Sequence, residues 1–348
     1  MNPFRVAIKL FSMTFLLAKL ALAQSAWQLT SRLQTGVEYD SNIYESTARQ
    51  VSTSVGRFLM QNRALLTAQH WRISLDYAGA LLVYQNHRDE NKLLQDANGS
   101  ITWLAKNGFR LYLRGQGNLK LYLQSPTDYG TTSGTLGVIF PLTKKIFMEA
   151  GAETGQLDYA RGNNFDFTFT GASLALRRQL GAKAMGEAAV VYRKLEYARA
   201  SFVNAPANLD PETQQDDFTA LRLSANYSKH LLLQGRLELQ RNRSNRGVFG
   251  YNRAQLHVLV GYPPLPHWLV RVSFLLQRKR YLDAAPPISL PELDPEREQS
   301  NHLVLDISRD LSQTLALLLR LSHHNNESPV RSFFYRKTLL FAGLEMRF

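Results

Sequence analysis

The sequence predicts an all-β fold: a transmembrane, antiparallel, up-and-down β-barrel of about sixteen strands. Three observations predict it. Long stretches alternate apolar and polar residues with period two, and short and long connections alternate along the chain. After the N-terminal segment, no stretch approaches the ~20 apolar residues that a membrane-spanning helix requires.

The alternation is clearest over 109–121. Odd positions read Phe109, Leu111, Leu113, Gly115, Gly117, Leu119 and Leu121, whereas even positions read Arg110, Tyr112, Arg114, Gln116, Asn118 and Lys120. A segment this long, apolar on one side and charged on the other, exceeds the ~5–6 residues typical of a sandwich strand. It fits a tilted strand that crosses a bilayer in ~9–11 residues, with lipid on one face and water on the other. Residues 27–39 repeat the pattern, with Trp27, Leu29, Leu33, Val37 and Tyr39 opposite Gln28, Thr30, Arg32, Gln34 and Glu38; Ser31 and Thr35 interrupt the apolar side.

Strands are expected near 27–39, 53–66, 71–84, 94–105, 109–122, 130–141, 146–158 and 165–177. A second set is expected near 185–197, 217–228, 231–243, 251–262, 267–280, 300–309, 314–323 and 333–348. Short connections fall at 67–70, 106–108, 142–145, 178–184, 229–230, 263–266 and 310–313. Long ones fall at 40–52, 85–93, 123–129, 159–164, 198–216, 244–250, 281–299 and 324–332. The two kinds interleave and put both termini on the short-turn side, the arrangement of a barrel with tight periplasmic turns and longer external loops. Hydrocarbon leaves no partner for a free sheet edge, so the first strand and 331–348 must pair. Aromatics near strand ends (Trp27, Tyr39, Trp71, Tyr84, Trp103, Tyr122, Phe140, Tyr251, Trp268, Phe334) suggest interfacial girdles.

Arg5 and Lys9 precede an apolar run at 10–18, followed by Ala21-Leu22-Ala23. This predicts a secretory signal peptide over 1–23 and a barrel over 24–348. Without cysteine, neither disulfides nor thiolate metal sites are available. Removing Arg5, Lys9 and Lys19 with the leader lowers the formal charge from +13 to +10. A basic balance points to nucleic acid, anionic membrane surfaces or anionic solutes, and export argues against nucleic acid.

The last strand carries apolar Leu340, Ala342, Leu344 and Met346 at alternate positions and ends on Phe348. With Gly343, Met346 and Phe348, it resembles the C-terminal insertion signal of Gram-negative outer-membrane β-barrels; Phe341 stands where that family usually has a polar residue. Tyr39-Asp40-Ser41-Asn42 resembles the segment that opens putative β-barrel porins and the barrel domains of some polysaccharide-export and surface-lipoprotein assembly proteins. The resemblance implies the outer membrane of a Gram-negative bacterium, with its lipid and lipopolysaccharide and the barrel assembly machinery as partners. A periplasmic export partner would be a separate chain.

If the apolar alternates face lipid, the lumen receives Arg32, Arg72, Arg110, Arg114, Lys120, Arg222, Arg236, Arg271, Arg320 and Arg347. It also receives Glu38, Asp76, Glu149, Glu153, Glu238, Asp306 and Glu345. These charges either pair to hold a wet wall or, through their basic surplus, select anionic solutes such as an acidic glycan chain. Two acidic loops are expected, at 206–217 and 283–298, suited to divalent cations, lipopolysaccharide or a constriction. Three functions follow: an outer-membrane channel or export pore, a non-conducting structural or assembly barrel, and a barrel enzyme using Ser322, His323, His324 and Asn325 at a rim. No nucleotide or zinc-protease motif occurs, and no catalytic, cofactor or metal residue is assigned.

Overall fold

The computed structural model describes residues 27–46, 49–124, 128–159, 166–197, 213–245, 250–282, 301–326 and 335–348. The signal peptide expected over 1–23, the acidic segment 283–298 and Phe334 lie outside them. The first eight strands are β1 (Trp27–Asp40), β2 (Thr53–Thr67), β3 (Trp71–Tyr84), β4 (Lys92–Leu104), β5 (Arg110–Tyr122), β6 (Tyr129–Pro141), β7 (Ile146–Tyr159) and β8 (Phe167–Gly181). The other eight are β9 (Ala184–Tyr197), β10 (Gln215–Ser228), β11 (Leu232–Ser244), β12 (Tyr251–Tyr262), β13 (Trp268–Tyr281), β14 (Asn301–Asp310), β15 (Leu315–Asn326) and β16 (Tyr335–Arg347).

Each strand pairs antiparallel with its neighbours in sequence, and β16 closes on β1 from Arg32↔Arg347 to Asp40↔Leu339. Sixteen strands ~4.8 Å apart and tilted by ~40° enclose a backbone cylinder roughly 30 Å across. A barrel of that size can hold an aqueous lumen, whereas one of eight strands is filled by its own side chains.

Strand boundaries differ from expectation most at β8. It runs on to Gly181 through a register shift between Gln179 and Gly181, leaving only Ala182 and Lys183 as the turn. The local irregularity lets Arg178 and Gln179 stay in the sheet where a loop was expected. β10 begins at Gln215, so Asp216, expected in the connection 198–216, belongs to a strand, and the acidic segment expected at 206–217 ends inside the sheet.

Parity sets the two faces. Val37, Leu113, Leu136, Val190, Leu276 and Leu340 are among the outward residues, each more than half exposed to whatever surrounds the barrel. A continuous apolar surface of this extent suits hydrocarbon and would drive aggregation in water. All four tryptophans, Trp27, Trp71, Trp103 and Trp268, face outward at the short-turn end, and Trp103, Phe109 and Phe140 form an edge-to-face chain there. This is one interfacial girdle. The opposite end is different: Tyr84, Tyr122 and Tyr251, expected in a lipid girdle, point inward instead. Each shares the parity of an inward lysine on a neighbouring strand, and the rings stack with those ammonium groups.

The closing seam is tight. Gly36 and Gly343 face each other across β1 and β16, and the ring of Phe341 lies over both. A Cβ on Gly36 would run into the Ala342 carbonyl, and one on Gly343 into the Thr35 carbonyl. The aromatic ring fills the gap that the glycine pair leaves, which accounts for Phe341 at a position where a polar residue is usual.

Candidate functional site

The inner wall is the candidate site. Cross-strand register puts Arg32, Arg72, Arg110, Arg114, Lys120, Arg222, Arg236, Arg271, Arg320 and Arg347 on the inward parity. Arg57, Lys92, Arg177, Arg193, Arg253, Lys279 and Lys337 join them, although the sequence reading did not single them out. Lys92 and Arg177 sit at or beyond the expected strand edges, and Arg57 lies in a strand with apolar residues on both faces. Counting parity from confirmed strand centres would have found them.

Three inward carboxylates are each held by two guanidinium groups, whereas Glu38, Asp76 and Glu153 each have a single arginine partner. Glu149 accepts from Arg114 at 3.2 Å and pairs with Arg177 at 2.8 Å, while Arg177 also reaches Glu187 at 2.5 Å. Glu238 pairs with Arg222 at 2.9 Å and Arg236 at 2.7 Å. Asp306 pairs with Arg320 at 2.5 Å and Arg271 at 3.5 Å. The Glu238 and Asp306 groups are thereby locally positive, whereas Glu187 balances the group around Glu149. Arg32, Arg72 and Arg110 lie toward the short-turn end, exposed and without an ion-pair partner among the described residues.

Glycine makes part of this geometry. Gly137 and Gly151 pair across β6 and β7, and the Tyr112 ring lies flat over Gly137, where a Cβ would clash with it. Only this flattened path lets the Tyr112 hydroxyl donate to Glu149 at 2.6 Å. Arg114 then stacks on the same ring, 4.0 Å from its centroid.

At the long-loop mouth, residues 41–46 and 49–52 turn into the barrel. Ile43 packs on the inward residues Val55 and Tyr84, with Tyr44, Val51 and Leu82 around them. The Tyr39-Asp40-Ser41-Asn42 segment fastens this loop to the seam. Asp40 accepts the Asn42 backbone N–H at 2.9 Å and pairs with Lys337 at 3.0 Å. The Asn42 side-chain amide donates to the carbonyls of Ser46 and Arg336, and Ser41 exchanges bonds with Thr338. Glu45, in the left-handed region at φ 50°, reaches Lys337 at 3.2 Å. Burial alone would raise the Glu45 carboxyl, but Lys337, Lys92 and Lys120 outweigh it and hold the group below the ordinary carboxylate value. Lys92 and Lys120 also lie over Tyr84, Tyr122 and Tyr129, and Lys279 lies over Tyr251 and Tyr281. The inner mouth is thus a collar of tyrosine faces and ammonium groups.

The rim residues weighed for catalysis do not converge. Ser322 and His324 point inward, His323 and Asn325 outward, so the wall itself separates them. His323 hydrogen-bonds Thr338 at 3.1 Å, and His324 lies against His302 with 5.5 Å between ring centroids. Asp216 and Asp217 likewise part: Asp216 is buried inward against Gln214 and Asn242, whereas Asp217 faces outward and accepts from Tyr192.

No protein-family model matches the sequence, and no curated protein is similar to it. Solved structures are similar in fold. OccK1 (OpdK) from Pseudomonas aeruginosa matches over 92% of this chain and 99% of its own, with TM-score 0.50 and 11% identity. The fold is that of an outer-membrane β-barrel. An anion-selective porin from Comamonas acidovorans aligns over 93% of this chain and 100% of its own at TM-score 0.48 and 11% identity. CdiB from Acinetobacter baumannii aligns over 91% of this chain at TM-score 0.48 and 10% identity, and this chain spans 60% of its length.

Proposed function

We propose that the chain is a passive channel for anionic solutes in the outer membrane of a Gram-negative bacterium. The inner wall carries the reading: arginine pairs clasp Glu238 and Asp306, and Arg32, Arg72 and Arg110 add charge that no ion-pair partner cancels among the described residues. Fixed positive charge along a wet wall lowers the barrier for anions and raises it for cations. The sixteen-strand girth and the porin-like fold support a channel over a catalyst, as does the separation of Ser322 from His323.

Planar-bilayer recordings under a salt gradient test the proposal. The wild-type chain should conduct with a reversal potential that favours anions, and R32Q/R72Q/R110Q should move it toward cations while still inserting. An unmoved potential would show that these charges do not govern permeation; absence of conductance would favour a structural or assembly barrel. A narrower reading, an acidic glycan as the solute, is favoured by the tyrosine and lysine collar, whose flat faces and ammonium groups suit sugar rings bearing carboxylates. A soluble polyuronate added on the long-loop side should then block the current, and a neutral glycan of equal length should not.

A further inference from the structure

The outward wall carries arginines where lipid contact predicts none. Arg241 on β11 and Arg278 and Arg280 on β13 lie on the lipid-facing parity toward the long-loop end. All three are exposed, and their guanidinium groups have no partner among the described residues. Register sets Arg241, Asn252 and Arg280 in one row across three adjacent strands, with Arg278 beside Ala254 in the next. The row after that is wholly apolar: Leu237, Leu256 and Leu276. An outward arginine is costly at the bilayer midplane and nearly free at the interface. The arginines therefore mark where hydrocarbon ends and headgroups begin.

Neighbouring outward charges at this end have an opposite charge beside them. Lys194 pairs with Glu196 at 3.4 Å, and Asp217, opposite Arg243, accepts from the Tyr192 hydroxyl at 2.7 Å. Between the three uncompensated arginines, Thr219, Asn252 and Ala254 keep the wall low and form an open depression of about 700 Å³. Val190, Leu221 and Leu239 extend it as an apolar floor. One depression thus offers guanidinium groups at its headgroup end and aliphatic surface beside them.

We propose that this depression binds lipid A, the phosphorylated glycolipid of the outer leaflet. A phosphate monoester bears nearly two negative charges and three acceptor oxygens, which suits several arginines at once, and guanidinium groups grip phosphate bidentately. Acyl chains lie along Leu221 and Leu239. The long-loop end of such a barrel faces the outer leaflet, which is where the glycolipid resides.

The test uses the full chain folded in detergent micelles and titrated with bisphosphorylated lipid A, with bound lipid counted by native mass spectrometry. R241Q/R278Q/R280Q should weaken binding by about ten- to a hundredfold, given the strength of charge-assisted hydrogen bonds. R178Q, an outward arginine at the opposite end, should leave binding unchanged, and faster migration of unboiled samples in gels certifies that each variant is folded. The proposal is overturned if the wild-type chain takes up no lipid A, or if the folded triple variant binds as the wild type does. Equal affinity for dephosphorylated lipid A would overturn it too, by showing that acyl contact alone suffices, and equal affinity for phosphatidylglycerol would show a general anionic-lipid surface instead.

Discussion

At the scale of single residues, Lys337 has more depending on it than any other cation in the mouth. It joins Asp40, which is almost fully buried, to Glu45 at the tip of the inward loop. Removing one partner of a buried pair strands the other's charge, at a cost of about 3–5 kcal/mol. Lys337→Met should therefore lower the urea midpoint of the barrel in lipid and release the inward loop. Adding Asp40→Asn should recover part of the loss, because the stranded charge is then gone; a double variant as unstable as the single one would refute the pairing. Asp40 and Asn42 end β1 through short-range bonds to each other and to the Ser46 carbonyl, the habit of Asp and Asn at strand ends. Their ties to Lys337 and Arg336 are almost 300 positions distant, so only barrel closure reveals them.

At the scale of elements, the strands were legible because lipid and water impose opposite demands on alternate residues. Leu111, Leu113 and Leu119 could serve only one face of β5. Legibility failed at strand ends, where both faces meet water or headgroups and the alternation no longer discriminates. Tyr84 and Tyr122 looked like girdle residues for that reason, and Asp216 looked like loop. The closing element carries the sharpest prediction. Gly343→Asp puts a carboxylate against the Thr35 carbonyl and the Phe341 ring, and loss of Phe348 removes its two bonds to Ser31. Either change should reduce the heat-resistant folded form far more than Asp89→Asn in an external connection does. Equal yields from all three would mean that the seam tolerates a gap.

At the scale of the whole molecule, every strand is hydrogen-bonded on both sides, so unfolding has no free edge at which to begin. The chain should remain folded in dodecyl sulfate at room temperature, run faster unboiled than boiled, and fractionate with outer membranes. A soluble periplasmic form of the described barrel would contradict the apolar outer wall. The charge of the inner wall was only half legible: parity identified which residues point inward, but the arginine pairs around Glu149, Glu238 and Asp306 depend on strand neighbours and on the glycine gap beneath Tyr112.

The inward loop has a consequence for the order in which the molecule can come to exist. Its anchors on Lys337, Thr338 and the Arg336 carbonyl all belong to the last strand made, while the loop itself follows the first. A nascent sheet, however many strands it has gathered, holds that loop by only one side. The mouth therefore acquires its final shape in the same event that seals the wall, and a half-built intermediate in the membrane has no finished opening through which to leak.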